Sequence, residues 1–434
     1  MKKQLYKKKS KLNRQNIAEP AITKKLLLNG PTNYFKLKNN DREIYIFFDN
    51  HSPIISQHNC DNYDSKDFDK YIYKILKSNK NKTIIDFFLE INPTSIPLRD
   101  KYYYNGNYLQ NMRKVFKKLY SELYEDIKED DKPKQDIRLH YMDIRDYAFF
   151  NDLIYKMNII FELHNKEQHT DLLSIQYELK IINESLIFIE SIIESIITNK
   201  KLPAFELYSN TSIDYINIKP LNSKNNMNIN ELMDIGLYQI INKILNNKII
   251  KDFFMKHYFE TSKYLIKKIT ELSNYIEEKY KLIDAYKIKS QLTLHEINKD
   301  QKNSKYSGYD KIPYYDFNHK IKMDIYRKIS DELVPIDILI GKLGVIITDC
   351  YLLRRLINND KIKKAIIYTG GYHSTIYVWF LLKYLDYSIE EYNYLKDNIN
   401  INKLIDIAKN GDYFDIMEYI IPNNLNQCVE INEI

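Results

Sequence analysis

Polar residues able to do chemistry stand at the ends of four short apolar runs. Glu43–Phe48 precedes Asp49-Asn50-His51, and Thr83–Leu89 precedes Glu90. Ile137–Leu139 runs into His140 and Asp143, and Ala365–Tyr368 precedes Gly370-Gly371-Tyr372-His373. An imidazole exchanges a proton near neutral pH and also ligates metals, and a carboxylate beside it activates water or completes a ligand set. His51, Glu90 and His373 therefore suit a divalent transition metal with an open coordination position, or acid–base work without one. His140, Asp143 and Arg145 form the densest cluster. On an extended segment His140 faces one way while Asp143 and Arg145 face the other. Arg145 either holds an anionic group or simply pairs with Asp143. Gly370 and Gly371 permit a tight backbone, and Ser374 caps a helix whose N-terminus favours an anion. With Asp49 and Asn50 they make up the expected ligand-binding turns. Each signal has a plainer counterpart: a turn histidine is often just exposed, and Glu90 could end its strand solvated.

Such chemistry requires the four ends to meet. In an open parallel sheet the strands read as short apolar runs and ligands bind outside their carboxyl ends. Strands are expected at 43–48, 83–89, 136–142 and 365–368. Helices are expected at Asp67–Lys77, 108–128, Ile338–Leu356 and Ser374–Leu385, from apolar residues at helical spacing. Leu172–Ile197 and Asn230–Ile283 are long, helical in period and poor in glycine. The expected fold is α/β, a mainly parallel sheet core flanked by helices, with a large all-helical insertion. Residues 1–40 form a basic arm and irregular lead-in, 41–147 the first part of the core, 148–304 the insertion, 305–400 the second part, and 401–434 terminal helices and a tail.

Composition excludes more than it assigns. The chain has 434 residues, 44% of them apolar, enough for a substantial core. Its net charge of +7 is carried by residues 1–14, with seven basic side chains and no acid; the remainder holds 58 basic and 58 acidic groups. A contact with an anionic surface through residues 2–14 is the partner this arm suggests, and no nucleic-acid recognition motif accompanies it. The 39 tyrosines go with abundant Lys, Asn and Ile, as in an AT-biased coding sequence, and do not by themselves point to stacking on bases. Three scattered cysteines make neither a disulfide framework nor a zinc ribbon, so a reduced, intracellular and non-secreted protein is expected, with Cys60 packed and inert. No run is long and apolar enough for a membrane span. No P-loop, dinucleotide fingerprint or Gly-x-Ser-x-Gly elbow occurs.

The order Asp-Asn-His-Ser, Phe-Leu-Glu, His-Tyr-Met-Asp-Ile-Arg and Gly-Gly-Tyr-His-Ser resembles that of uncharacterised proteins of large nucleocytoplasmic DNA viruses. More distantly it resembles the erythromycin esterase / ChaN / TraB superfamily, marked by two Gly-x-x-His motifs and acidic residues at strand ends. Gly370–His373 matches the second motif; His51 matches the first histidine, with Phe48 where the first glycine would stand. The resemblance spans scattered segments of about 43–147 and 338–390. It implies a hydrolase acting on a small ester, peptide or anionic ligand: His51 and His373 bind a divalent metal or act as bases, Glu90 activates water, and Arg145 holds an anion. His140 and Asp143 join the expected site. The alternatives are a non-catalytic virion or host-interaction protein that keeps the fold, and a protein binding haem or another small ligand without turnover. A viral source would place the chain in host cytoplasm or virion.

Overall fold

The computed structural model describes residues 25–52, 59–78, 83–92, 107–125, 136–145, 150–165, 172–198, 205–210, 215–220, 236–301, 314–396, 399–423 and 426–434. The basic arm lies outside them. Strands β1 (Leu26–Asn29), β2 (Asn33–Asn39) and β3 (Arg42–Asp49) are followed by β4 (Lys66–Asp67), α1 (Phe68–Ser78), β5 (Ile85–Leu89), α2 (Tyr108–Tyr120) and β6 (Ile137–Tyr141). A long helical stretch comes next, with α3 (Phe150–Asn165), α4 (Leu172–Thr198), the hairpin of β7 (Phe205–Asn210) and β8 (Tyr215–Pro220), α5 (Gly236–Leu245) and α6 (Lys248–Phe254). A π-helical turn (Met255–Phe259) leads into α7 (Glu260–Gln301), and α8 (Tyr314–Ile357) returns the chain to the sheet. Then follow β9 (Lys364–Gly370), α9 (Gly371–Tyr384), β10 (Ser388–Tyr392), α10 (Ile401–Asn410), α11 (Tyr413–Ile420) and β11 (Cys428–Ile431).

The main sheet has six strands in the order β10-β2-β3-β9-β5-β6. β3, β9, β5 and β6 are mutually parallel, while β2 and β10 add an antiparallel edge. These four parallel neighbours are the four apolar runs of the sequence. The inner three, β3, β5 and β9, are largely apolar because both of their faces are buried, whereas β6, at the sheet edge, carries Arg138 and His140 and is only half-buried. Along β3, Ile44, Ile46 and Phe48 join Phe88 and Ile367 beneath the helical layer, and Tyr45 and Phe47 join Phe87, Leu89 and Tyr368 beneath α1 and α2. The register sets Asp49 beside Gly370, and Leu89 beside both Tyr368 and Tyr141. The residues that follow each strand therefore leave the sheet at one level.

Four expectations need correction. The insertion expected to be all-helical over 148–304 contains a strand pair, β7 antiparallel to β8. Residues 26–39 are not an irregular lead-in: they form β1 and β2, joined through Gly30 at φ 132°, a conformation suited to glycine. β2 alternates Tyr34, Phe35, Lys36, Leu37 and Lys38, the weaker period-two signal of a strand near an edge. The tail expected after the terminal helices is likewise structured, since it contains β11, which pairs antiparallel with β1. Finally, Cys60 is bonded to Cys428 across 368 residues, which ties the segment before β4 to β11; Cys350 is buried and free. The expectation of unpaired, inert thiols thus fails for two of the three. Among the described residues no helix is long and apolar enough to cross a membrane.

Phe47 is fully buried, its ring centroid 4.9 Å from that of Tyr34 and 4.5 Å from that of Phe68. Truncation there removes apolar contacts and leaves a cavity, so Phe47→Ala is expected to cost about 3–5 kcal/mol. Denaturant unfolding followed by circular dichroism checks it; a loss below about 1 kcal/mol would contradict this packing.

Candidate functional site

At the carboxyl ends of β3, β5 and β9 a buried carboxylate, Glu90, lies between two histidines. Its Oε2 is 3.5 Å from His51 Nε2, and its Oε1 is 3.8 Å from His373 Nε2. Each histidine is held from behind by an aspartate. His51 Nδ1 is 2.7 Å from Asp49 Oδ2, and His373 Nδ1 is 2.6 Å from Asp349 Oδ1. Tyrosines fix the aspartates in turn: Tyr368 donates to Asp49 Oδ1 at 2.6 Å, and Tyr377 to Asp349 Oδ1 at 2.5 Å. The result is two Asp–His pairs facing one glutamate. The pairs differ in access, because the His51 side chain is 45% exposed and that of His373 only 7%.

The backbone is arranged to suit this cluster. Gly370 N–H donates to Glu90 Oε2 at 2.9 Å. A Cβ on Gly370 would stand 2.9 Å from His51 Nε2, so only glycine lets the imidazole approach the carboxylate. Arg113 of α2 donates through Nε and Nη2 to the Glu90 carbonyl, at 2.9 and 2.8 Å, and anchors the end of β5. Beyond β6, Arg145 makes a two-pronged pair with Asp143, both bonds at 2.8 Å, and its Nη2 is 3.9 Å from Glu90 Oε1.

The charges are mutually supporting. Burial by itself would lower the pKa of His51, but the hydrogen bonds and charges of Asp49 and Glu90 outweigh it and push the value up to about 10. For His373 burial is again outweighed, here by the charges of Asp349 and Glu90, and the value is pushed up to about 9. Burial would raise Glu90; the His373 and His51 charges and the Gly370 N–H hold it far below the usual carboxylate range. Asp349 is raised by burial despite its partners, and its Oδ2 is buried without a hydrogen bond. At neutral pH the centre is an ionised carboxylate between two imidazolium rings.

The structure thus brings together His51, Glu90 and His373, with Asp49, Gly370, Asp143 and Arg145 around them. Asn50 instead accepts from Ser52 Oγ, and its carbonyl accepts from Gln427. Ser374 is buried against Thr369 and the Phe47 carbonyl, tying helix to strand, and Gly371 abuts Ile421. His140 belongs to another group: its Nε2 is 2.6 Å from Asp86 Oδ1, its ring stacks on Phe88, and Arg138 pairs with Asp86. Burial lowers its pKa. It lies on the strand two positions before Met142 and so points beneath the helical layer.

As a metal centre the cluster does not fit. Among the described residues no group of three or more His, Cys, Asp or Glu side chains could hold a metal ion. Each Nδ1 is held by an aspartate and each Nε2 faces Glu90, so with both rings protonated the group is a chain of ion pairs. Phe48, at the place of the expected first glycine, is buried in the core, and the turn after it still delivers His51. Sequence inspection missed Asp349, Tyr377, Tyr368 and Arg113. Asp349 had left one sign, a lone acid on the apolar stripe Ile346, Leu353 and Leu356 of a helix.

Two outcomes follow from this geometry. Because the folded-state pKa of His51 is above the ordinary 6.5, its stabilising contribution is full below about pH 6.5 and is lost as pH rises through about 10. His51→Gln should therefore narrow its stability gap to the native chain as pH climbs from 7 to 10 in thermal scans; a gap independent of pH would refute the assignment. Gly370→Ala should displace the His51 ring and lower its pKa toward 6.5 while the fold persists, read by proton NMR titration of the imidazole. An unshifted His51 resonance would show that the close approach does not matter.

The comparisons with known proteins bear on lineage. A family model described as "Family of unknown function (DUF5847)" matches residues 26–434. Uncharacterized protein R706 of Acanthamoeba polyphaga mimivirus is 28% identical over 424 residues, covering 94% of this chain and 95% of that protein. Uncharacterized protein R161 of the same virus is 26% identical over 438 residues, covering 93% and 96%. Uncharacterized protein R160 of that virus is also 26% identical, covering 93% and 95%. No solved structure matches.

Proposed function

The chain belongs to the family of unknown function DUF5847, a viral family by its mimivirus relatives, and we propose that the cluster around Glu90 is a metal-independent hydrolytic site for small esters. The observation that carries this proposal is the pair of Asp–His units facing one ionised glutamate, with one histidine open to solvent and the other sealed. The likeness to the erythromycin esterase / ChaN / TraB pattern, through His51 and Gly370–His373, agrees with it.

His51 is the residue that meets substrate. In its neutral form, Nε2 takes a proton from water as the water oxygen bonds to the ester carbon. Asp49 keeps Nδ1 protonated and the ring oriented, and Glu90 stabilises the imidazolium that forms. Arg145 faces the carbonyl oxygen as it gains negative charge, or an anionic group of the substrate. When the tetrahedral adduct collapses, its bond to the leaving oxygen breaks and the His51 proton passes to that oxygen. Both oxygens of Glu90 are already engaged by donors, which suits an electrostatic anchor better than the water-activating base expected of it. His373 and Asp349 hold Glu90 in place from the buried side.

The test is turnover of a panel of p-nitrophenyl esters by purified protein treated with chelator. The native chain should hydrolyse at least one ester, with kcat/KM rising with pH as His51 loses its proton toward about 10. His51→Ala should lower the rate by about 10²–10⁴-fold with circular dichroism unchanged. Absence of turnover across the panel, or full activity in His51→Ala, would reject the proposal.

A further inference from the structure

A second polar group is centred on Tyr351, near the C-terminus of α8, at the outer edge of the sheet. Arg355 Nη1 donates to the Tyr351 hydroxyl at 2.9 Å, and its guanidinium carbon lies 5.3 Å from the Tyr351 ring centroid and 5.9 Å from that of Tyr141. The Arg354 guanidinium is 5.5 Å from the same Tyr351 ring. Two guanidiniums and two phenol rings thus share one half-buried region, flanked by Arg138 and His140.

Among the described residues the charges there do not balance. Arg138 is cancelled by the buried Asp86 carboxylate, which it grips through two nitrogens. Neither Arg354 nor Arg355 has an acid within ion-pair distance among the described residues. The C-terminus of α8 offers a partial negative charge equivalent to about half an elementary charge, against two full positive ones. Burial lowers the pKa of Arg354, and its Nε is buried with no hydrogen-bond partner. His140 Nδ1 is buried and unpartnered as well. A half-buried guanidinium that leaves a donor unmet pays a desolvation cost that an anion would relieve.

We propose that Arg354 and Arg355, with the rings of Tyr141 and Tyr351, bind the phosphate group of a small phosphorylated molecule. The guanidinium fork matches phosphate oxygens in two-pronged fashion, and both guanidiniums lie within cation–π distance of the Tyr351 ring, Arg355 also of the Tyr141 ring. Arg138, already committed to Asp86, closes the side of the site and fixes β6 beside it. The group lies on the flank of β6 and is independent of the hydrolytic site at Glu90.

The experiment is isothermal titration of the full chain with inorganic phosphate, inorganic pyrophosphate and adenosine monophosphate at matched ionic strength. Saturable binding of at least one of these at one site per chain is expected, weakened about tenfold or more in Arg354→Gln and in Arg355→Gln, and unchanged in Arg42→Gln, whose arginine pairs with Asp360 elsewhere. Pyrophosphate binding alone would mark the site as one for bare phosphates; tighter adenosine monophosphate binding, lost in Tyr351→Leu, would mark it as one for nucleotides. A second measurement needs no variant: the tightest-binding of the three should protect Arg354 and Arg355 of the native chain from phenylglyoxal, read by mass spectrometry. Absence of saturable binding, or equal binding in both glutamine variants together with unprotected arginines, would overturn the proposal.

Discussion

Glu90 is a buried carboxylate, and burying a charge is tolerable only where partners replace the water it gives up. Two imidazoliums and a backbone N–H do so here. Each imidazolium is costly in turn and is stabilised by an aspartate, and each aspartate by a tyrosine. The chain from Tyr368 through Asp49, His51, Glu90, His373 and Asp349 to Tyr377 is therefore one electrostatic object. Removing any inner member strands a charge in a dry place, which makes Glu90, at its centre, the residue on which the others depend.

The fold serves this object by placing its parts at one level. Parallel strands leave their carboxyl ends on one side of the sheet, and the register that sets Asp49 beside Gly370 also sets Glu90 against both turns. Helical packing adds what the strands cannot. Asp349 and Tyr377 come from α8 and α9, whose apolar faces cover one side of the sheet, and Arg113 comes from α2 on the other. The exposed turn carries His51 to the surface while the helical layer seals His373. That asymmetry leaves one histidine open to solvent and the other sealed.

Much of this was legible in the residues. The runs of β3, β5 and β9 are nearly continuous because those strands are buried on both faces, so their limits and polar ends stood out and His51, Glu90 and His373 could be named; Arg145 was named from the polar cluster that follows β6. β2 and β10 were less visible, since a strand near a sheet edge alternates and so carries a weaker signal. His140 stands apart from the Glu90 cluster because, one position before the end of β6, its side chain points into the layer and pairs with Asp86 instead. Asp349 sits on a helix far from any strand end, and no spacing rule joins it to His373; only tertiary packing does. The Cys60–Cys428 bond was invisible for the same reason, as its partners are 368 residues apart. The metal expectation rested on residue types alone, and the geometry shows those residues spending their nitrogens on each other's charges.

The most direct measurement of the central claim is a nitrogen-15 NMR spectrum of the histidine side chains in labelled protein at about pH 8. The chain has nine histidines, whose ordinary pKa near 6.5 would leave them neutral there. Two of them, His51 and His373, should remain doubly protonated, and both should become neutral in Glu90→Gln. A spectrum in which all nine are neutral at that pH, or in which the two protonated rings ignore the loss of Glu90, would contradict the account.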